Sequence, residues 1–331
     1  MALQTSGAIS FANIQTEFGG SNPISLSEYY GSDDVPTSGA ISLNDFYGTS
    51  DVFNATRGVW GGGGNFNNNM DYMTIASTGN AADFGDLTAN RKGLAACASE
   101  TRGVFAGGNS NIMDYITIST TGNATDFGDL TRNAYYSAAC SNLTRGVSGG
   151  GNSGGYSNVM EYITISSTGN ATDFGDLTAR WQLAACASDT RGVFGGGGYS
   201  NTVEYITISS TGNATNFGDL SQDRRALAAC SNDTRGVFGG GTFGSGFGGG
   251  YSNVMDYITI ASTGTATDFG DLTMARTGLA GLASATRGVF AGGGYGLTNI
   301  MDYVTISSTS NASDLGDLML ARNGLAGCSG G

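Results

Sequence analysis

Six near-copies of one short segment fill most of this chain, and that periodicity narrows its possible folds more than any other feature. The opening Thr-Arg-Gly-Val recurs at Thr56, Thr101, Thr144, Thr190, Thr234 and Thr286, at intervals of 45, 43, 46, 44 and 52 residues. A period of this length marks a repeat architecture, in which one supersecondary unit recurs and each copy buries its apolar face against the next. The 57 glycines would otherwise suggest disorder. Here they fall at fixed places between runs of Val, Ile, Tyr and Phe, so they read as turns and close backbone approaches.

Each copy reads as four short strands. In the second copy these are strand a (Gly93 to Ala98), strand b (Arg102 to Gly108), strand c (Met113 to Ile118) and strand d (Asp126 to Leu130). Four antiparallel strands per repeat make a propeller blade, and the small residues of strand a suit crowding at an axis. The first copy lacks a strand a, and the chain finishes with a spare one, Gly324 to Cys328. Six b-c-d sets and six a strands therefore predict a ring closed by sharing one blade between the two ends, which removes exposed sheet edges.

The order of features resembles the kelch repeat: Arg180 before strand a, Gly196-Gly197 closing strand b, Tyr205 in strand c, and Phe217 where that family carries Trp. The resemblance spans residues 56–331. The expected fold is all-β, a six-bladed kelch-like β-propeller over residues 51–331, preceded by a short helical leader over residues 1–50.

The leader holds a smaller repeat. Ile9-Ser10-Phe11 leads to Phe18-Gly19, Ile24-Ser25-Leu26 to Tyr29-Tyr30-Gly31, and Ile41-Ser42-Leu43 to Phe46-Tyr47-Gly48. Each reads as a Ser N-cap, one or two helical turns and a Gly stop. Helices so short are marginal alone, so Phe11, Phe18, Leu26, Tyr29, Tyr30, Leu43, Phe46 and Tyr47 are expected to dock on another surface. The segments Ala2 to Ser10 and Thr37 to Asp45 resemble leader segments of tailed-phage structural proteins, especially those of marine and cyanobacterial phages. That resemblance implies a virion protein present in several copies per particle, docked through its leader on other virion proteins.

Composition removes several function classes. A net charge of −13 argues against nucleic-acid binding and against docking on anionic lipid. No stretch reaches the ~18 apolar residues of a membrane helix. Met1 to Ser10 lacks the pattern of a secretory signal. The expectation is synthesis in a host cytoplasm and residence in a virion. Histidine is absent, which excludes a Ser-His-Asp triad and His-ligated zinc or copper. Asp-Phe-Gly at Asp83, Asp126, Asp173 and Asp268 comes without the other kinase motifs, and the glycine runs lack the Gly-Lys-Ser/Thr of a P-loop.

Recurring carboxylates such as Asp126 and Asp129 are expected as fixed partners of the repeated arginines rather than as a glycosidase pair. Cys97, Cys140, Cys186, Cys230 and Cys328 share their position with Leu282, so they read as apolar packing residues. Asn-Ala-Thr occurs at Asn54, Asn123, Asn170 and Asn213, and since the last three share the c-d turn it reads as structure before it reads as a glycosylation site. No enzyme activity, cofactor or metal is expected.

Function should lie where the copies differ. The a-b and c-d turns are nearly uniform, whereas the b-c and d-a loops, expected on the opposite side, vary. Five residues before the Cys position the copies read Lys92, Tyr135, Trp181, Arg225, Thr277 and Asn323, close to an arginine present in five copies (Arg91, Arg180, Arg224, Arg276 and Arg322). The b-c loops carry Phe66, Tyr156, Tyr199, Phe243, Phe247, Tyr251 and Tyr295 among small polar residues. Aromatic residues in such company suit adaptable recognition. The expected function is adhesion to a host-surface glycan by a tail- or appendage-associated protein. The alternative is a capsid decoration or connector protein that packs the same ring against protein neighbours.

Overall fold

The computed structural model describes residues 55–244, 249–294 and 296–330. The leader and its docking residues, and also Phe247 and Tyr295, lie outside the described residues. The described chain is all β, with no helix, in seven small antiparallel sheets.

Six of these sheets have four strands in the order a-b-c-d. The first contains β1 (Arg57–Gly61), β2 (Asn67–Thr74) and β3 (Ala82–Arg91). The second runs β4 (Leu94–Ala98), β5 (Arg102–Gly107), β6 (Ser110–Thr117) and β7 (Thr125–Ala134). The third runs β8 (Ala138–Ser141), β9 (Arg145–Gly149), β10 (Val159–Thr164) and β11 (Thr172–Asp176). The fourth runs β12 (Ala184–Ala187), β13 (Arg191–Gly195), β14 (Thr202–Thr207) and β15 (Thr215–Asp219). A two-residue strand, β16 (Arg224–Arg225), precedes the fifth sheet, which begins β17 (Ala228–Ser231) and β18 (Arg235–Gly239). The long loop after β18 folds β19 (Thr242–Phe243) and β20 (Gly250–Tyr251) onto β16 as the small seventh sheet. The fifth sheet then resumes with β21 (Val254–Thr259) and β22 (Thr267–Asp271), and the sixth runs β23 (Ala280–Ala283), β24 (Arg287–Ala291), β25 (Ile300–Thr305) and β26 (Ser313–Asp317).

The final strand, β27 (Ala326–Gly330), pairs antiparallel with β1, from Arg57 opposite Gly330 to Gly61 opposite Ala326. The chain end thus supplies strand a of the first sheet, two residues further along than the sequence suggested. The a strands are mutual neighbours: β27 lies against β4, β4 against β8, β8 against β12, β12 against β17, β17 against β23, and β23 against β27.

Strand b is buried beyond its first residue in every sheet because other sheets cover both its faces. The cysteines explain one inter-sheet contact. A Cβ on Gly103 would fall 2.6 Å from Cys328 Sγ, and one on Gly192 2.5 Å from Cys140 Sγ. Gly58 meets Leu282 in the same way, so thiol and Leu fill one slot over the next sheet's glycine. All five thiols are buried, and burial pushes Cys97 up to about 12.

Two sets of arginines join each sheet to the next. The Thr-Arg-Gly arginines lie over a tyrosine of their own sheet, as Arg102 does over Tyr115 at 4.4 Å. Each also donates Nη1–H to a backbone carbonyl of the following sheet: Arg57 to Ile118, Arg102 to Ile165, Arg145 to Ile208, Arg191 to Ile260, Arg235 to Ile306 and Arg287 back to Ile75. The second set makes buried ion pairs: Arg91 with Asp114, Arg132 with Glu161, Arg180 with Glu204, Arg224 with Asp256, Arg276 with Asp302, and Arg322 with Asp71 of the first sheet. Burial lowers these guanidinium pKa values, and the facing carboxylate opposes that shift.

These pairs correct two expectations. The partners are strand-c carboxylates, not Asp126 and Asp129, which are exposed. The second copy also keeps its arginine. Ala134 occupies the usual place, and Arg132, two residues upstream and so on the same face of an extended strand, reaches Glu161 instead. The same joint departs again at Ser148, where the other copies have Trp60, Phe105, Phe194, Phe238 and Phe290. A cavity lined by Ser148, Glu161, Ala106 and Cys97, with room for about one water molecule, lies there.

The Asp-Phe-Gly segments serve a third contact. Phe84, Phe127, Phe174, Phe217 and Phe269, with Leu315 in the sixth copy, are buried in the core. The following glycine has φ near +140°, and a Cβ there would strike the next sheet's c-d turn: Gly128 meets the Gly169 carbonyl, and Gly316 that of Gly79. In that turn Asn123 Oδ1 accepts the Asp86 N–H, and Asn170 and Asn213 do likewise for Asp129 and Asp176. The Asn-Ala-Thr asparagines therefore hold neighbouring sheets.

Candidate functional site

The b-c and d-a loops are tied together by backbone hydrogen bonds. Gly63, Gly151, Gly197, Gly241 and Gly293 each donate N–H to the carbonyl of Arg91, Arg180, Arg224, Arg276 and Arg322 respectively, and Gly108 does so to Ala134. On the opposite side a-b and c-d turns meet, as where Ile75 donates to Thr56. The glycine runs, which lack a P-loop's Gly-Lys-Ser/Thr, are therefore occupied with loop-to-loop contacts.

One residue beyond each variable d-a position lies a hydrogen-bonded wheel. Tyr136 N–H donates to Gly93 O, Gln182 to Tyr136, Ala226 to Gln182, Gly278 to Ala226, Gly324 to Gly278, and Gly93 to Gly324, at 2.7–2.9 Å. All six residues are left-handed, with φ from 53° to 71°. Glycine adopts this conformation freely, whereas Tyr136, Gln182 and Ala226 each carry a cost of about 1 kcal/mol. The strained members are consecutive in the wheel, so the loop side has a glycine half and a side-chain half.

The wheel brings Lys92, Tyr135, Trp181, Arg225, Thr277 and Asn323 around one mouth, because each precedes a wheel residue. Tyr135 and Tyr136 rings lie 4.4 Å apart, Tyr136 meets Trp181 edge-on at 6.1 Å, and Tyr156 stacks on Trp181 at 5.8 Å and 20°. The Arg225 guanidinium lies 4.1 Å from the Tyr199 ring centre and 5.8 Å from that of Trp181. Tyr156 is 55% exposed. The cluster of six side chains is thus continuous from the third sheet to the fourth.

Other expected residues lie apart. Phe243 is half-buried, opposite Arg224 in the seventh sheet, and Tyr251 pairs with Thr242 beside it. Phe66 stands exposed in the first sheet's loop. Sequence reasoning missed Tyr136 and Gln182, although both stand where three other copies have glycine. It also missed Met274, Met319 and Leu320, exposed large apolar side chains of the d-a loops.

Trp181 Nε1, Gln182 Oε1 and Asn323 Oδ1 hydrogen-bond to no protein group. Burial, and then the adjacent Tyr135 with which it hydrogen-bonds, push the Tyr136 hydroxyl well above the usual range, so it stays protonated. Among the described residues no group of His, Cys, Asp or Glu is placed to hold a metal ion, and no helix is long and apolar enough to cross a membrane. The arrangement suits binding: flat rings, a guanidinium and a rigid floor. Compared with known proteins, the chain matches no family model and no curated protein.

Proposed function

We propose that the six four-stranded sheets are the blades of a six-bladed, kelch-like β-propeller, and that the propeller is the display module of a tailed-phage virion protein. The ring is supported by four independent sets of contacts that each return to their start: the a-strand neighbours, the ion pairs, the arginine–carbonyl bonds and the wheel. The virion reading rests on the leader segments Ala2 to Ser10 and Thr37 to Asp45, which resemble those of tailed-phage structural proteins.

On this reading the leader docks on another virion protein and the loop side binds a host-surface glycan. A pyranose face stacks on exposed Tyr156, which Trp181 backs, and weak single sites gain strength from several copies on one particle. One observation carries the choice of side. The exposed large apolar side chains among the described residues, Phe66, Tyr156, Tyr251, Met274, Met319 and Leu320, all belong to b-c or d-a loops.

The test is binding of purified protein to host cells and to a glycan array, with Trp181→Ala, Tyr135→Ala and Tyr251→Ala combined. Adhesion should fall at least tenfold with the melting temperature nearly unchanged. Undiminished adhesion by this variant would rule out the loop side as the binding surface.

A further inference from the structure

The cations of this chain are almost wholly committed to structure. All 14 lysines and arginines lie within the described residues. Six arginines make the buried ion pairs, and six more lie over tyrosine rings while bonding the next sheet's carbonyl. Two cations are left over, Lys92 and Arg225. Neither pairs with a carboxylate among the described residues, in a chain whose net charge is −13.

Both leftovers occupy the same structural position, the residue before a wheel member. Along the wheel order 93, 136, 182, 226, 278, 324, their places are three steps apart and therefore opposite. Between them on one side stand Tyr135, Tyr136, Trp181 and Gln182, and on the other Thr277 and Asn323. The Lys92 stem and the Tyr136 hydroxyl converge on Gly324: a Cβ there would fall 3.0 Å from Lys92 Cγ and 3.1 Å from Tyr136 Oη. The absence of a side chain at Gly324 thus makes room for Lys92 from the neighbouring position and for Tyr136 from the side-chain half. Arg225 is held by the Tyr199 and Trp181 rings rather than by a counter-ion.

Two uncompensated cations at opposite positions of one wheel, with aromatic rings between them on one side, are complementary to negative charge. We infer that this mouth is a single binding site for an anionic glycan, whose acidic groups pair with Arg225 and Lys92 while a sugar ring stacks on Tyr156, the exposed ring that Trp181 backs. The six repeats make one site per chain, because only three consecutive wheel positions carry the side-chain half. This inference rests on the adhesion reading above and adds the charge of the ligand and the number of sites.

Calorimetry on the full chain tests it, with a hexuronate oligosaccharide, its neutral methyl ester and a phosphodiester-bearing oligosaccharide as probes. The acid should bind at one site per chain, roughly tenfold tighter than the ester at low salt, and the advantage should shrink at high salt. Arg225→Gln and Lys92→Gln should each reduce the preference for acid while changing the melting temperature little, since neither belongs to the ion pairs or the arginine–carbonyl bonds that join the sheets. Tighter binding of the phosphodiester probe, with the same dependence on Arg225 and Lys92, would equally support an anionic ligand and identify phosphate as its charge. Equal affinity for acid and ester would overturn the charge assignment and leave glycan adhesion standing. Adhesion to host cells without binding of any probe, acidic or neutral, would overturn the anionic-glycan site itself.

Discussion

The two sides of these sheets use the same residue types for different ends. On the side of the a-b and c-d turns, arginine and tyrosine repeat their contact in all six sheets, and the turn asparagine does so except where Thr265 replaces it: Arg57, Arg102 and their equivalents all bond the next sheet's carbonyl. On the side of the b-c and d-a loops, Arg225 and Tyr156 each contact Trp181, and these contacts do not recur around the other described sheets. Repetition therefore marks load on the scaffold, and its failure marks surface released from that load.

The contrast can be broken most severely at the chain end. Deleting residues 324–331 removes β27, which pairs with β1 and lies against β4 and β23. The loss should exceed what eight residues suggest and approach the whole folding stability, about 5–15 kcal/mol for a domain. Thermal unfolding should lose its cooperativity. A truncated chain that melts within a few degrees of the parent would mean that the six sheets do not depend on closure.

A smaller but still large effect is expected at a buried joint. Arg276→Ala leaves Asp302 fully buried without its cation, with only the hydrogen bonds from Thr273, at a cost of about 3–5 kcal/mol in denaturant unfolding. The double replacement Arg276→Met with Asp302→Leu should cost much less, because no charge is stranded. Two truncations of one side-chain type then sharpen the comparison between core and loop. Phe84→Ala, in the core, should cost about 3–5 kcal/mol, and Phe66→Ala, in a loop, less than about 0.5 kcal/mol. The smallest effect is chemical. With Cys97 held near 12 and the other thiols raised further by burial, no reactive thiolate forms at pH 8, so all five should resist alkylation until the chain unfolds.

Much of the strand order was legible because the spacing of Val, Phe, Tyr and Gly repeats with the fold. The pairing of the chain end with the first copy followed from counting strands, and the apolar role of the cysteines from their exchange with Leu282. The joints were less legible. A period says which residues are equivalent but not which neighbour each one faces. The arginine partners were therefore sought among Asp126 and Asp129, whereas the contact crosses to the next sheet's strand c at Asp114. Arg132 was invisible for a related reason, because alignment by position hides a side chain that reaches the same place from two residues upstream. The wheel depends on backbone conformation, and its only trace in the sequence is glycine at Gly93, Gly278 and Gly324 exchanged for Tyr136, Gln182 and Ala226.

That exchange offers the most direct measurement. Tyr135→Thr, Tyr136→Gly, Trp181→Asn, Gln182→Gly, Arg225→Thr and Ala226→Gly together rebuild the side-chain half of the mouth in the image of the glycine half. Host-cell adhesion is then measured alongside the melting temperature. The expected result is a chain that melts at or above the parent temperature, the strain of three left-handed positions being relieved, and that no longer adheres. Collapse of the fold, or adhesion that survives intact, would contradict the division between a repeated scaffold and a single binding mouth.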